Sequence, residues 1–406
     1  MLNRNYSSLL EEFLLYFPCV ALIGARQCGK TTLMKNVRPN WTHFDLESNS
    51  DLDQISSDPD FFLRQYPRSI TIDEAQLLPQ LFSSLRVAID SNRSEKGRFI
   101  ITGSSSPELL SSISETLAGR VAIIEMSPLS INEAFQFDWQ FLPKILNRSN
   151  IDEYLKLEAK TELKDIEKYW LKGGYPEPWL SNNDRFQNLW MDQYISTYLQ
   201  RDLAKLFPGL NRNKFNLFLQ TLASLNGDVI NYSKVARAIG VSQPTAREYF
   251  QIAHGTFLWR TIPSYEKNTL KRIVKHPKGY YRDSGLLNHL LRINELRDLQ
   301  SHPDRGNMWE AVVIEQIIRF FSEKGIPFDY YYYRTSAGAE VDLIIESEFG
   351  TIPFEIKLGQ TVTSKSLSSI KNFMKEVDCS IGFVINNDEK VRLYADNLVG
   401  IPFSMF

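Results

Sequence analysis

A chain of 406 residues is long enough for two to three domains, each with its own core. Its 46 Lys and Arg nearly balance 48 Asp and Glu, for a formal net charge of −2, which excludes a globally basic coat and leaves DNA only a local patch. Three cysteines, Cys19, Cys28 and Cys379, lack CxxC spacing, which argues against zinc and disulfides and for a reducing cytoplasm.

The first apolar stretch, Leu9 to Val20, contains two glutamates and is too short and too charged for a signal or a membrane span, so no membrane is expected. It reads as a helix packed under the sheet that follows. The short apolar strand Val20 to Ile23 then runs into Gly24-Ala25-Arg26-Gln27-Cys28-Gly29-Lys30-Thr31-Thr32. This GxxxxGK(T/S) string between a strand and a helix is a phosphate-binding loop, whose backbone N–H groups and helix N-terminus would cradle the phosphates of ATP. Lys30 would reach the β and γ phosphates, and the Thr31 hydroxyl would ligate Mg²⁺.

Ile70-Thr71-Ile72-Asp73-Glu74 is a second strand ending in paired acids. Asp73 would hold Mg²⁺ through water, and Glu74 would polarise the attacking water. Phe99 to Thr102 gives a third strand that ends in small hydroxyl residues, where Thr102 or Ser104 could orient the lytic water or cap the next helix. Residues 18 to 126 thus alternate strands and helices, the pattern of a parallel sheet covered on both faces. The segment from Ser127 to about Trp190 is helical and aromatic, broken at Gly173-Gly174.

Tyr232 to Tyr249 reads as helix, Gly240 turn, helix. Ala236, Ala246 and Tyr249 would face inward, Ser242 would cap the second helix, and Gln243, Thr245 and Arg247 would face phosphates or base edges. Lys234 and Arg237 add to this patch, and a run of Arg260, Lys267, Lys271, Arg272, Lys275 and Lys278 offers either a backbone-binding stripe or a solvated charged hairpin.

The last unit places Asp342 near the start of one strand and Glu355-Ile356-Lys357 at the end of the next. Alternation along a strand points Glu355 and Lys357 the same way, towards Asp342 on the hairpin partner. Two carboxylates and an ammonium suit Mg²⁺-dependent phosphodiester chemistry, with Mn²⁺ as an alternative ion. Glu310, on a helix face shared with Ile314, Ile317 and Phe321, is a further candidate ligand.

The order of the phosphate loop, His43-Phe44-Asp45-Leu46-Glu47, Ile72-Asp73-Glu74-Ala75-Gln76, Ile101 to Ser105 and Leu117-Ala118-Gly119-Arg120 resembles a large family of AAA-type ATPases. Their C-terminal domain, long described as of unknown function, has a restriction-endonuclease-like fold. The resemblance continues through Gly173-Gly174-Tyr175-Pro176-Glu177, Tyr198-Leu199-Gln200-Arg201-Asp202-Leu203 and Tyr281-Arg282-Asp283-Ser284-Gly285-Leu286, nearly the whole chain. It implies that Arg120 stabilises transition-state charge, in a homo-oligomer from a neighbouring subunit, unless it only forms a salt bridge. Asp342 with Glu355-Ile356-Lys357 further resembles the PD-(D/E)xK nuclease core.

The expected fold class is α/β, with an AAA-type ATPase core (1–126), a helical lid (127–210), a winged-helix-like domain (211–300) and a nuclease-like domain (301–406). Two functions follow. One is an ATPase acting on duplex or branched DNA that the C-terminal domain binds or cuts. The other is a regulatory ATPase switch whose C-terminal domain only docks a protein partner.

Overall fold

The computed structural model describes residues 2–104, 113, 115–181, 183–198, 203, 207, 209–266, 276–335 and 338–406. They divide into two compact units, the first made of Met1–Leu129 with Ile252–Leu258 and Ser322–Gly325, the second of the remainder.

In the first unit, α1 (Tyr6–Tyr16) buries Tyr6, Leu9, Leu10 and Leu14 in the core. Pro18 fixes its end: the residue before a proline avoids the helical region, and Phe17 is extended. Val20 therefore belongs to a strand rather than to the expected apolar helix. Strands β1 (Cys19–Gly24), β2 (Thr42–Asp45), β3 (Ile70–Asp73), β4 (Phe99–Ser104) and β5 (Val121–Met126) form a parallel sheet in the order β2-β3-β4-β1-β5. Strand β1 is buried along its whole length, as a strand covered on both faces must be. Helices α2 (Lys30–Val37), α3 (Asn49–Ser56), α4 (Pro59–Gln65) and α5 (Gln80–Ser91) alternate with the strands. Since β4 lies between β1 and β3, the loop after β1 and the acids after β3 share one sheet edge, with the end of β4 between them.

The second unit begins with a helical stretch that includes α6 (Leu163–Lys172) and α7 (Asp184–Thr197). Next come α8 (Arg212–Ala223), α9 (Tyr232–Ile239) and α10 (Gln243–Gly255), then an antiparallel pair, β6 (Trp259–Ile262) and β7 (Lys278–Tyr281). Gly240 ends α9 with φ of +66°, a left-handed turn that glycine takes without steric cost. Ala236, Ala246 and Tyr249 are buried as expected, and Ser242 Oγ accepts from the Thr245 N–H at 3.2 Å. Val229 bridges to Lys278, so the segment before α9 lies along β7.

Helix α11 (Ser284–Leu290) starts where α6 ends. Asp283 caps α11 through the Leu286 N–H (3.0 Å) and also accepts from the Gly174 N–H (2.7 Å). Burial raises the Asp283 carboxyl above its usual range. Two sequence motifs far apart in the chain are thereby one junction. Helix α12 (Arg305–Glu323) precedes a sheet of described strands ordered β12-β13-β11-β10-β9-β8. These are β8 (Phe328–Arg334), β9 (Glu340–Ser347), β10 (Gly350–Ile356), β11 (Gly382–Asn386), β12 (Arg392–Ala395) and β13 (Leu398–Pro402), with α13 (Ser368–Val377) between β10 and β11. Strands β9 and β10 pair antiparallel with Leu343 opposite Phe354, while β10, β11 and β13 run parallel. Tyr265, Val341, Ile344, Ile370, Phe373 and Leu398 fill the core around α13.

Candidate functional site

The loop from Gly24 to Gly29 leaves the end of β1 and turns into α2, as the sequence predicts. Its backbone is left-handed at Gln27 (φ +59°) and Gly29 (φ +100°). Gly24 has φ of +151°, and a Cβ there would stand 2.1 Å from the Met126 carbonyl oxygen. No side chain caps α2, whose N-cap is Gly29, so its first N–H groups are available to an anion. Lys30, only 5% exposed, reaches back over the loop and donates to the carbonyls of Gly24 and Ala25, both at 3.0 Å.

Beneath the loop, Thr31 Oγ1 donates to Asp73 Oδ2 at 2.6 Å, and Thr102 Oγ1 donates to Asp73 Oδ1. The expected magnesium ligands are thus adjacent, and Thr102 is fixed beside them by the insertion of β4. A hydroxyl and a carboxylate meeting beside a phosphate loop are the hard oxygen donors that Mg²⁺ takes. Glu74 adopts φ 53°, ψ 43°, uncommon for a residue with a side chain. Its N–H points to Asp73 Oδ1 (3.2 Å) and Thr102 Oγ1 (3.4 Å), and its carboxylate accepts from Gln76 Nε2. That backbone turn separates the two acids: Asp73 faces inward, whereas Glu74 stays partly exposed at the sheet edge.

The second cluster lies in the second unit. Asp342, on β9, accepts from the Ile356 N–H at 2.7 Å, which holds it across from the end of β10. Lys357 Nζ donates to Glu355 Oε1 at 2.6 Å, while Glu355 Oε2 is buried with no hydrogen-bond partner. Burial and the neighbouring Asp342 carboxylate push the Glu355 carboxyl up to about 8. The same two causes push Glu310 up to about 7. Burial pulls the Lys357 ammonium down, but Asp342 and Glu355 more than offset it, leaving a net rise.

Glu310 does not join Asp342 and Glu355 as a free ligand. Its Oε1 accepts from Lys278 Nζ at 3.0 Å and from the Tyr280 hydroxyl, and Lys278 also pairs with Glu340. Among the described residues no three His, Cys, Asp or Glu side chains are arranged to hold a metal ion. The donors Asp342 and the unpartnered Glu355 oxygen suit Mg²⁺ only in its habit of taking one or two carboxylates and completing its shell with water or phosphate oxygen.

Lys278, Tyr280 and Glu340 are members of this cluster that the sequence reading did not assign to it. The basic run is corrected at the same point: Lys278 and Arg260 are each 5% exposed, and Arg260 pairs with Glu315 through both Nε and Nη2 (3.2 Å). Neither belongs to a surface stripe or a solvated hairpin, because each answers a buried carboxylate. Lys267, Lys271, Arg272 and Lys275 lie outside the described residues, as do the Ser104 side chain and Leu199 to Asp202. Lys234, Arg237, Gln243 and Arg247 are exposed, and Arg247 stacks over the Tyr232 ring at 4.7 Å.

Arg120 forms two hydrogen bonds with Asp90, at 2.7 and 2.9 Å, and lowers its carboxyl below the usual range. It precedes Val121, which pairs with Cys19 at the start of β1. The phosphate loop follows the other end of β1, about 17 Å away at the rise of a strand. Arg120 therefore cannot serve the loop of its own chain.

Residues 16–135 match a family described as AAA domain, and residues 163–297 and 305–406 match two families described as domains of unknown function, DUF8612 and DUF4143. The chain is 32% identical over 403 residues to the uncharacterized protein Rv2008c of Mycobacterium tuberculosis, covering 98% of this chain and 83% of the relative. It is 22% identical over 392 residues to the uncharacterized protein MJ1544 of Methanocaldococcus jannaschii, covering 91% and 82%. Among solved structures, a Walker-type ATPase of Pyrococcus abyssi aligns at 16% identity over 72% of this chain and 96% of that one, with a TM-score of 0.45.

Proposed function

Because the chain belongs to the family of the mycobacterial protein Rv2008c and carries an AAA domain, we propose that it is an ATP-hydrolysing protein whose nucleotide cycle serves work on DNA. The observation that carries the reading is the hydrogen-bonded run of Thr31, Asp73 and Thr102 under the phosphate loop. Lys30 would leave the carbonyls of Gly24 and Ala25 for the β and γ phosphates. Thr31 and Asp73 would hold Mg²⁺, which neutralises phosphate charge when bound. Glu74, set apart from Asp73 by its backbone turn, would polarise the attacking water.

The DNA part of the proposal is supported by α8 to α10 with the β6–β7 pair, an arrangement like a winged helix, and by the exposed Gln243, Arg247, Lys234 and Arg237. Asp342, Glu355 and Lys357 would then act on a phosphodiester, Lys357 steadying developing charge. A second reading has its own observation. Glu310 and one oxygen of Glu355 are already paired with Lys278 and Lys357, which favours a structural cluster in a docking domain and a purely regulatory ATPase.

The test is steady-state ATP hydrolysis with linear duplex, single-stranded and four-way-junction DNA, following the labelled DNA in the same reactions. Hydrolysis that Lys30→Ala abolishes and DNA stimulates supports the first reading. Cleavage lost in Lys357→Ala, with hydrolysis retained, assigns the second cluster. Hydrolysis indifferent to every DNA, with the DNA intact, supports the regulatory reading.

A further inference from the structure

We propose that Arg4 is the positioning residue that holds the phosphate loop in its anion-binding shape, an inference that rests on the nucleotide reading above. Arg4 Nη1 donates to the Cys28 carbonyl at 2.6 Å, and Nη2 donates to the Ser127 carbonyl at 2.7 Å. The first acceptor lies inside the loop and the second just beyond β5. One planar guanidinium therefore ties the loop to the end of the neighbouring strand.

The consequence follows from the peptide plane. The Cys28 carbonyl and the Gly29 N–H belong to one rigid trans unit and point in opposite directions. Holding the carbonyl on Arg4, behind the loop, turns the Gly29 N–H to the opposite side, among the donors at the start of α2. This unit needs such a hold, because on one side it turns about the φ of Gly29 (+100°), where glycine has easy alternatives.

Neighbouring contacts make the anchor rigid. Cys28 Sγ donates to the Met126 carbonyl at 3.5 Å, the Ser127 N–H donates to the Tyr6 hydroxyl at 3.4 Å, and the Arg4 guanidinium lies 5.8 Å from the Tyr6 ring centroid. Tyr6 is fully buried. Lysine replaces this fork only in part, since its single nitrogen lacks the two spaced guanidinium nitrogens that reach carbonyls on two separate segments.

The test is titration of the full chain with a fluorescent ATP analogue and Mg²⁺, for wild type, Arg4→Ala, Arg4→Lys and Lys30→Ala, with a thermal melt of each. Arg4→Ala is expected to bind about tenfold more weakly, a loss worth one charge-assisted hydrogen bond. Arg4→Lys, which keeps the charge and one bond, recovers part of the affinity and guards against a folding defect. Added guanidinium ion at low millimolar concentration restores binding to Arg4→Ala and leaves wild type and Lys30→Ala unchanged. Wild-type affinity in Arg4→Ala overturns the proposal alone, as does a loss in the folded variant that neither lysine nor guanidinium repairs. A wild-type chain that binds no nucleotide overturns the nucleotide reading, and the proposal with it.

Discussion

Glu355 and Glu310 give the second unit a pH dependence whose sign is set by burial. Their carboxyls are raised to about 8 and about 7 in the fold, whereas an unfolded chain releases these protons near the ordinary glutamate value. Between those limits the unfolded state binds fewer protons than the folded one, so stability falls as pH rises. The melting temperature is expected to drop from about pH 5 to about pH 8 and then to level, with a shallower drop in Glu355→Gln; calorimetry across that range measures both. Lys278 is the opposite partner. Burial pulls its ammonium down, but Tyr280, Glu310, Asp342 and Glu340 more than compensate, and it stays charged. Glu340 keeps Arg334 at 3.8 Å, but replacing Lys278 leaves the Glu310 carboxylate without its cation, so Lys278→Met should cost about 3–5 kcal/mol in urea unfolding. An effect below about 1 kcal/mol, the scale of an exposed pair, would show that the cluster does not depend on it.

At the scale of elements, the junction of α6 and α11 shows how two short motifs specify one another. Gly173 has φ of +71°, and a Cβ on it would lie 2.3 Å from Asp283 Oδ1. A Cβ on Gly285 would lie 2.1 Å from the Lys172 carbonyl oxygen. Gly285→Ala must push two backbones apart and should destabilise the second unit by about 3 kcal/mol or more, the upper range of overpacking, read as a lowered urea midpoint. From the sequence these motifs mark a family and carry no hint that they meet. The strands of the first unit are legible because apolar runs between loops suffice to find a sheet covered on both faces. The phosphate loop is legible because its chemistry is local. The break at Pro18 is also written in the chain, although an apolar tally from Leu9 to Val20 runs through it. Lys278 and Arg260 are not legible: a charge in a basic run looks solvated until Glu310 and Glu315 on a distant helix are known to face it.

For the whole molecule, the distance between Arg120 and the loop of its own chain decides what assembly must do. If Arg120 completes a site, that site belongs to a neighbour. Lys30→Ala and Arg120→Ala should each be inactive alone. Mixed, they should regain hydrolysis, because an intact loop from one chain then meets an intact arginine from the other. Full activity in Arg120→Ala would reduce this residue to its pairing with Asp90.

The ion pair between Lys278 and Glu310 crosses the boundary between the two matched families, which end at 297 and begin at 305. A fragment starting at residue 305 would keep Glu310, Glu340, Asp342 and Glu355 and lose the buried ammonium that answers two of them. Such a fragment should expose or protonate these acids, however complete its strands. Gene rearrangement is constrained in the same way, since a C-terminal segment transferred without β7 arrives with a carboxylate excess in its interior. The two segments are therefore best regarded as a single unit of inheritance.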